Sequence, residues 1–279
     1  MNRIVAKRWL APSVACLEVE APLTARKRQA GQFVILRVTE EGERIPITIA
    51  GSNPEAGTIT LVVQQVGKTT HDLCALEPGQ YLKDLVGPLG QPTHIERWGT
   101  VVAVAGGVGA AVILPIAAAL QAAGNQVQTI LGARSQDLLI LEDELGAVSE
   151  KLWITTDDGS RGEHGLVTAP LERLLKAGPV GHVVAAGPLP MMRAVCEATR
   201  PYGVPTVVSL NPVMVDGTGM CGGCRVTVGG EVKYACVDGP EFDGHQVDFD
   251  ELRARLAIYR DKEEISRGRR CQSQMQPVR

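Results

Sequence analysis

The stretch that decides the fold is Val101-Val-Ala-Val-Ala-Gly-Gly-Val-Gly109, and an alanine-rich run follows it to about Ala123. Its first five residues are all apolar, as in a strand that is buried on both faces of a sheet. The glycines form a tight turn, and Gly124-Asn125 ends the helix that follows. We therefore predict a strand, a glycine-rich loop and a helix, and we expect Pro115 to interrupt that helix near its start.

Downstream of this unit, short apolar runs alternate with helical patterns. Strands are predicted at Val127–Leu131, Leu152–Thr155, His182–Ala186 and Val204–Leu210. Helices are predicted at Leu138–Leu145, Leu171–Ala177 and Met191–Thr199. Strands that alternate with helices indicate βαβ units, so this part of the chain is predicted to form a doubly wound parallel sheet.

Upstream, short segments rich in Val, Ile and Thr are separated by turn residues. Strands are predicted at Ile4–Arg8, Val14–Val19, Gln32–Val38, Ile45–Ala50 and Thr58–Val66. A short helix is expected at His71–Leu76, capped by Thr69 or Thr70, and a turn at residues 87–90. This spacing favours a small antiparallel barrel. We predict three modules: a small barrel at 1–97, an α/β domain at 98–208 and a small C-terminal segment at 209–279, which includes a helix capped by Asp248 or Asp250 and a basic tail.

Composition narrows the class of protein. The 279 residues carry a net charge of −3 and the pI is about 6.0, which favours neither nucleic acid nor an anionic membrane surface as a partner. There is no run of 18 apolar residues and the N-terminus does not resemble a secretory signal. Seven cysteines in such a chain indicate metal chemistry in a reducing compartment, and we expect a cytoplasmic protein.

Three of the cysteines lie in one glycine-rich segment after the last predicted strand. Asp216-x4-Cys221-x2-Cys224 has the spacing of plant-type [2Fe–2S] proteins, with Asp in place of the first cysteine. Cys236 follows a predicted hairpin at 226–234, whose Gly-Gly turn brings it back toward the first pair. An iron–sulfur cluster is the favoured interpretation. Zinc with Asp as the fourth ligand, and a buried Cys-x2-Cys with no metal, are the alternatives.

Several segments at predicted strand ends suit a nucleotide. The loop at 106–109 lets the backbone approach a pyrophosphate at a helix N-terminus, although tight structural turns also need glycine. Asp157-Asp158 and the segment Gly187–Met192 follow two further strands, and ligands of open α/β sheets bind at such ends. Arg134 lies where a ribose hydroxyl or a 2′-phosphate is distinguished, but nearby acidic residues leave the choice of NAD or NADP open.

The barrel carries two motifs that suit a flavin. In Arg44-Ile-Pro46-Ile-Thr48 the Arg, Pro and Thr alternate onto one face of a strand, where Arg can hold a diphosphate and Thr offers a hydroxyl to a ring nitrogen. Gly67-Lys-Thr69-Thr70 offers N–H groups and hydroxyls before a helix. Each of these features alone also fits a structural role.

Together the three modules resemble the ferredoxin–NADP reductase superfamily over almost the whole chain. The chain is similar to the electron-transfer subunits of bacterial dihydroorotate dehydrogenase. It is more similar to the small FAD/NAD-binding subunits of NADH-dependent reduced-ferredoxin:NADP oxidoreductases, also described as sulfide dehydrogenase subunits. Residues 216–224 and 235–245 match that second group's signature. The dihydroorotate branch is expected to carry Cys at the position of Asp216. One departure is Ala110-Ala111, where relatives often have a larger residue followed by Ala-Pro, and it bears on where the helix starts.

The resemblance implies three cofactor or substrate sites. It places FAD at Arg44, Pro46, Ile47, Thr48, Val66, Gly67, Thr69 and Thr70. It places NAD(H) at Gly106, Gly107, Val108, Gly109, Arg134, Asp157, Asp158, Gly187, Pro188 and Met191. It places a [2Fe–2S] cluster on Asp216, Cys221, Cys224 and Cys236. No catalytic acid–base pair is expected, and Thr48 is the candidate for tuning the flavin.

The resemblance also implies a place in a larger enzyme. Electrons from NAD(H) are expected to pass through FAD and the cluster to a larger iron–sulfur flavoprotein subunit, which serves ferredoxin and NADP by electron bifurcation. The alternatives are an electron-transfer subunit of a dihydroorotate or sulfide dehydrogenase and, from another class, a non-enzymatic nucleotide-binding protein with a zinc-stapled C-terminus. His245 is a candidate hydrogen-bond donor near the cluster.

Overall fold

The computed structural model describes residues 2–265. The basic tail that the sequence predicts from residue 266, with Cys271, lies outside the described residues. Within residues 2–265 no helix is both long and apolar enough to span a membrane.

The N-terminal module is an antiparallel seven-stranded sheet in the order β6-β1-β2-β5-β4-β3-β7. Its strands are β1 (Asn2–Ala11), β2 (Val14–Glu20), β3 (Phe33–Arg37), β4 (Arg44–Asn53), β5 (Thr58–Gln64), β6 (Tyr81–Leu82) and β7 (Asp84–Leu89). The strands at the two ends of this order, β6 and β7, are separated by one residue of chain. The sheet therefore curls back on itself into the predicted barrel.

Alternation along β4 separates the barrel interior from its outer face. Ile45, Ile47 and Ile49 pack inward against the interior cluster of apolar side chains. Arg44, Pro46 and Thr48 alternate with them, so they face outward. The motif that the sequence singled out thus lies on one outer face of the barrel, as predicted.

The barrel differs from the prediction in three local respects. An additional short helix, α1 (Pro22–Lys27), follows β2. Helix α2 (Lys68–Ala75) starts earlier than expected, and its N-cap is Gly67, because the Thr70 hydroxyl bonds back to the N–H of Gly67 at 3.0 Å. Residues 87–89 are not a turn but the end of β7, paired with β3.

The second module is the predicted parallel sheet, in the order β11-β10-β9-β8-β12-β13-β16. Its parallel strands are β8 (Thr100–Gly106), β9 (Gln126–Ala133), β10 (Lys151–Thr156), β11 (Glu163–His164), β12 (His182–Ala186) and β13 (Thr206–Ser209), and β16 (Glu241–Asp243) is an antiparallel strand at its edge. Its helices are α3 (Ala110–Ala122), α4 (Glu142–Ala147), α5 (Thr168–Ala177) and α6 (Leu189–Thr199). The chain leaves β8 toward β9 on one side and returns to β12 on the other, which confirms the doubly wound topology.

Two helix predictions in this module need correction. Pro115 lies inside α3 and does not interrupt it, since the helix runs on to Ala122. The predicted helix at 138–145 is broken, because Leu141 has a φ of 57° and only α4 beyond it is α-helical. A single turn of 3-10 helix at 107–109 precedes α3, which settles the start of α3 at Ala110.

The C-terminal segment folds onto both other modules. Strands β14 (Arg225–Val228) and β15 (Glu231–Tyr234) form the predicted hairpin, with positive φ at both turn glycines. Strand β16 (Glu241–Asp243) joins the parallel sheet as an antiparallel edge strand beside β13. Helix α7 (Phe249–Ala257) is capped by Asp248, whose carboxylate accepts from the N–H of Asp250 and Glu251.

Apolar clusters cross the module boundaries. One cluster joins α3 side chains to outer barrel residues such as Val14 and Val62. Another joins Phe33 and Ile35 of β3 to Cys224 and Cys236. The three modules therefore pack as one assembly. The boundaries at 97/98 and 208/209 stay a prediction.

Candidate cofactor-binding sites

The loop that carries the predicted cluster ligands depends on glycine. Gly217, Gly219 and Gly222 all have φ between 64° and 85°, a region that side-chain-bearing residues rarely adopt. A Cβ at Gly217 would lie 2.7 Å from Cδ1 of Leu89 and 2.9 Å from Cγ1 of Ile35. The glycines therefore let the loop curl tightly and lie directly against the barrel wall.

Two of the three cysteines are in contact. Cys224 and Cys236 are both buried, and their sulfurs are 3.2 Å apart. Burial, helped by the neighbouring thiol of Cys224, raises the pKa of Cys236 to about 12. Cys221 differs, because it is exposed and its sulfur accepts the N–H of Gly223 at 3.4 Å.

Asp216 lies beside the exposed cysteine. Its carboxylate accepts the N–H of Cys221 at 2.7 Å and the N–H of Thr218 at 2.9 Å. These hydrogen bonds, first that from Thr218, hold the pKa of Asp216 below its usual range. The carboxylate is thus ionised and held at the same end of the loop as Cys221.

This donor set fits an iron–sulfur cluster better than a single ion. A metal bonded to two sulfurs at about 2.3 Å in tetrahedral geometry sets them about 3.8 Å apart, so Cys224 and Cys236 need only separate slightly to share one iron. Asp216 and Cys221 are left as the pair for a second iron. Among residues 2–265 no three His, Cys, Asp or Glu side chains converge as they would around one ion.

The two flavin motifs are brought together at one edge of the barrel. The hydroxyl of Thr69, at the start of α2, donates to the carboxylate of Glu43 at 3.0 Å, and Glu43 directly precedes Arg44. Arg44 is exposed, and its guanidinium is 4.0 Å from Asp84. The Thr70 hydroxyl accepts hydrogen bonds from the N–H groups of Val66 and Gly67, and these bonds shape the loop before the helix.

Two of the predicted flavin residues have side chains that make contacts within the barrel module itself. The side chain of Ile47 packs into the barrel core, so only its main-chain atoms are available between Pro46 and Thr48 on the outer face. The Thr70 hydroxyl is occupied with its own loop. Sequence reasoning did not anticipate the contact between Glu43 and Thr69, which joins the two motifs.

The barrel motif and the cluster loop are separated by a single strand. Pro46 of β4 pairs with Ile35 of β3, and Phe33 pairs with Thr48. Ile35 is also the residue against which Gly217 packs. The side of β4 that carries Arg44, Pro46 and Thr48 is therefore one strand away from the loop that carries Asp216.

The glycine-rich loop lies at the point where the strand order reverses, between β8 and β12. Two of its glycines are closely packed: a Cβ on Gly109 would collide with the backbone carbonyl oxygen of Ala186, and one on Gly106 with the side-chain sulfur of Met191. Gly107 is different, since it has a φ of 54° and open space where its Cβ would be. A ligand can approach the backbone at Gly107, which is where open α/β sheets bind nucleotides.

The remaining nucleotide candidates end the neighbouring strands. Gly187, with a φ of 158°, lies against Gly106, and Met191 covers both. The N–H of Asp158 donates to the carbonyl of Arg134 at 3.2 Å, which holds the loops after β9 and β10 together. Asp158 also accepts two hydrogen bonds from Ser160, and these lower its pKa. Arg134, Asp157, Asp158 and Pro188 are exposed, and Val108 is half-buried.

Comparison with known proteins identifies the family. Residues 211–248 match the model of the iron–sulfur cluster binding domain of dihydroorotate dehydrogenase B. The chain is 50% identical over 266 residues to the dihydroorotate dehydrogenase B (NAD(+)) electron transfer subunit homolog of Thermotoga maritima, covering 95% of this chain and 94% of that protein. The chain belongs to the family of dihydroorotate dehydrogenase B electron-transfer subunits and their homologues. The predicted resemblance is thereby confirmed.

Solved structures agree with this family and fold. A chain from the structure of an NADH-dependent reduced ferredoxin-NADP oxidoreductase, determined in work on flavin-based electron bifurcation, is 49% identical with a TM-score of 0.92, covering 96% of this chain and 97% of that one. The ferredoxin reductase of carbazole 1,9a-dioxygenase has the same fold, with a TM-score of 0.59 at 18% identity over 73% of this chain and 65% of its own.

One expectation for this electron-transfer subunit homologue was wrong. The ring of His245 hydrogen-bonds the hydroxyl of Thr199 at 2.9 Å, at the end of α6, and not the cluster loop. The segment after Cys236 folds back as β16 into the parallel sheet, which carries His245 toward the sheet edge. A residue that is close to a cluster ligand in sequence is therefore not always close to it in space.

Proposed function

We propose that this chain is the electron-transfer subunit of a heteromeric oxidoreductase, which moves electrons between NAD(H) and a larger iron–sulfur flavoprotein. FAD supplies the change from hydride to single-electron chemistry, and the [2Fe–2S] cluster supplies single-electron transfer. The observation that carries this proposal is the packing of Gly217 on Ile35, which places the cluster loop one strand from the flavin motif. The nucleotide edge, the flavin motif of the barrel and the cluster loop then form a series of three sites.

In this proposal the α/β edge binds the nicotinamide nucleotide. Gly107 offers open backbone, and Met191 lies over the neighbouring glycines of two strands. The outer face of β4 holds FAD through Arg44 and Thr48, while the start of α2 adds N–H groups and the Thr69 hydroxyl. Asp216, Cys221, Cys224 and Cys236 hold the cluster. The residues position the groups, and the groups carry the redox chemistry.

Electrons leave on the side of the exposed cysteine. Met220, next to Cys221, is 89% exposed, and Val213 and Val215 of the same loop are also exposed. Exposed apolar side chains around a redox centre suit a protein partner. We assign this surface to the larger subunit. The six cysteines within residues 2–265 form no disulfide bonds with one another, which suits the proposed cytoplasmic location.

The relatives support a choice between two candidates for the final acceptor. The reduced ferredoxin-NADP oxidoreductase chain matches 96% of this protein. Asp216 stands where the dihydroorotate branch is expected to carry Cys. We therefore favour a bifurcating transhydrogenase with ferredoxin and NADP as acceptors. A dihydroorotate dehydrogenase subunit is the second candidate, since the family model of the cluster segment carries that name.

Two measurements test the proposal. The purified chain should show flavin and iron–sulfur absorption that NADH bleaches, and a colourless zinc protein would contradict both candidates. The chain co-purified with its larger subunit should then oxidise NADH with NADP and ferredoxin. Activity with dihydroorotate and none with NADP would replace the first candidate by the second.

A further inference from the structure

Two arginines donate hydrogen bonds to the Cys-x2-Cys segment at 221–224. The guanidinium of Arg225, the first residue of β14, donates to the carbonyl of Gly222 at 3.2 Å. The guanidinium of Arg255, on α7, donates to the carbonyl of Gly223, also at 3.2 Å. Arginine stays charged in proteins. Both glycine carbonyls of this segment are therefore held by a positive charge.

Helix α7 is fixed to the cluster segment by contacts that do not involve Arg255. The N–H of Asp248, its capping residue, donates to the carbonyl of Thr227 in β14 at 2.9 Å. Leu252 is buried in the same apolar cluster as Cys236. Arg255 follows Leu252 by three residues, so the two side chains lie on the same face of the helix. The packing of α7 thus carries Arg255 to the loop.

A held carbonyl fixes the direction of the N–H in the same peptide group, because the two point in opposite directions in a trans peptide. The carbonyl of Gly222 shares its peptide group with the N–H of Gly223. That N–H is directed at the sulfur of Cys221 at 3.4 Å. Arg225 therefore holds a peptide group whose other end faces a proposed ligand sulfur.

The next peptide group has the same arrangement, and its N–H belongs to Cys224. Because Arg255 holds the carbonyl of Gly223, this N–H points away from Arg255. Cys224 is buried, and its N–H has no acceptor within residues 2–265. Buried N–H groups of native proteins are nearly always paired. This N–H is therefore available to a sulfur atom that is not part of the chain.

We propose that Arg225 and Arg255 are positioning residues that raise the reduction potential of the [2Fe–2S] cluster. They aim the N–H groups of Gly223 and Cys224 at its sulfur atoms. The inference rests on the proposed binding of that cluster by the cysteines of this loop. Reduction adds one negative charge to the cluster, and N–H dipoles and guanidinium charges directed at the sulfurs stabilise that charge.

Arg253 provides a matched control. It lies on α7 two residues before Arg255, but it is exposed and its guanidinium pairs with Asp250 at 3.1 Å. Water and salt screen an exposed charge of this kind. Replacing either arginine by glutamine removes one positive charge from the same helix. A difference between the two variants therefore reports the contact with the loop.

The experiment compares full chains loaded with the cluster: wild type, Arg255→Gln, Arg255→Lys, Arg225→Gln and Arg253→Gln. Iron and labile sulfide are assayed first, and the midpoint potential is then measured by redox titration followed by EPR. Arg255→Gln should lower the equilibrium constant for reduction about tenfold, which is about 59 mV for one electron. Arg255→Lys should recover most of this loss, since lysine keeps a charge and a donor. Arg225→Gln should shift the potential in the same direction, and Arg253→Gln should change the constant by less than about twofold.

Pulsed EPR tests the direction of the peptide group itself. With ¹⁵N-labelled cysteine, the coupling between the electron spin of the cluster and the peptide nitrogen of Cys224 should weaken in Arg255→Gln. It should stay as in wild type in Arg253→Gln. A residue that only stabilised the fold would leave this coupling unchanged wherever the cluster is retained.

The remaining outcomes overturn either this inference or the proposal beneath it. Wild type without iron and sulfide would remove the proposed cluster site itself. A shift in Arg255→Gln no larger than that in Arg253→Gln would overturn the positioning role. A lowered potential with unchanged nitrogen coupling would leave only an effect of charge, which also overturns it. If Arg255→Gln loses its iron, Arg225→Gln decides by the same comparison, and a wild-type potential there would overturn the inference.

Discussion

Gly217 and Ile35 are in direct contact although 182 positions separate them in sequence, since a Cβ on Gly217 would lie only 2.9 Å from Cγ1 of Ile35. The same Cβ would meet Leu89, and Gly217 has a φ of 76°. Gly217→Ala should therefore destabilise the protein by about 2 kcal/mol, through overpacking and backbone strain. Urea unfolding of the full chain measures this loss.

Gly223→Ala is the control for Gly217→Ala within the same loop. Its Cβ would be 3.5 Å from the carbonyl oxygen of Val213 and 3.6 Å from the Cys221 sulfur, which are ordinary contacts, and its φ is not positive. It should stay within about 0.5 kcal/mol of wild type. Equal losses from both substitutions would mean that the loop is not seated on the barrel at Gly217.

Asp216 should be tested as a ligand by exchanging its donor atom. Asp216→Cys should retain iron and labile sulfide, but its EPR spectrum and midpoint potential should change, because a thiolate replaces a carboxylate. Loss of the hydrogen bonds from Thr218 and Cys221 should also make the loop easier to unfold. An EPR spectrum identical to that of wild type would remove Asp216 from the metal.

Asp238→Asn and Asp216→Asn form a matched pair for this test. Asp238 also accepts a backbone N–H, that of Tyr234 at 2.7 Å, in the same segment, but it is not a proposed ligand. Iron content should fall in Asp216→Asn and stay unchanged in Asp238→Asn. Parallel losses would point to a structural role for both carboxylates.

The two glycines of the nucleotide loop should respond differently to alanine. A Cβ at Gly109 collides with the carbonyl of Ala186, so Gly109→Ala should lower the free energy of unfolding by about 3 kcal/mol. Gly107 has open space, so Gly107→Ala should cost only about 1 kcal/mol of strain, but its methyl group should weaken NADH binding about tenfold. Urea unfolding and NADH titration separate the effects. A Gly109→Ala protein as stable as wild type would contradict this packing.

Glu241 should make stability depend on pH. Burial raises the pKa of its carboxyl from 4.5 to about 7, and only the Thr93 hydroxyl, which donates to it at 2.6 Å, opposes this. The folded protein therefore keeps a proton that the unfolded chain releases above about pH 4.5. Its contribution is complete below that pH and falls by about 3 kcal/mol as the pH rises to 7.

Glu241→Gln should flatten this part of the profile, because glutamine carries no proton that titrates. Urea unfolding at several values between pH 5 and 8 measures the slope for wild type and variant. Glu231→Gln, on the exposed β14-β15 hairpin, should leave the slope as it is in wild type. A wild-type slope that survives in Glu241→Gln would place the titration elsewhere.

Much of the fold was predictable because its signals are local. Continuous apolar runs marked the buried strands β8 and β12, and two glycines at 229 and 230 marked the hairpin turn. The broken helix at 138–145 was missed because the pattern of apolar residues continues through Leu141, while its left-handed backbone depends on the loop around it. The edge strand β16 was missed because three residues carry too little periodicity.

The sequence by itself determined the spacing of the cluster ligands, the outward face of β4 and the glycine loop after β8, since these depend on neighbours along the chain. Only the tertiary structure decided that Cys236 meets Cys224, that Gly217 rests on Ile35 and that His245 turns toward Thr199. It also showed that Gly106 and Gly109 are closely packed, whereas Gly107 has open space where its Cβ would be. Such contacts join residues far apart in the chain, and their geometry depends on how whole sheets pack, which no local pattern records.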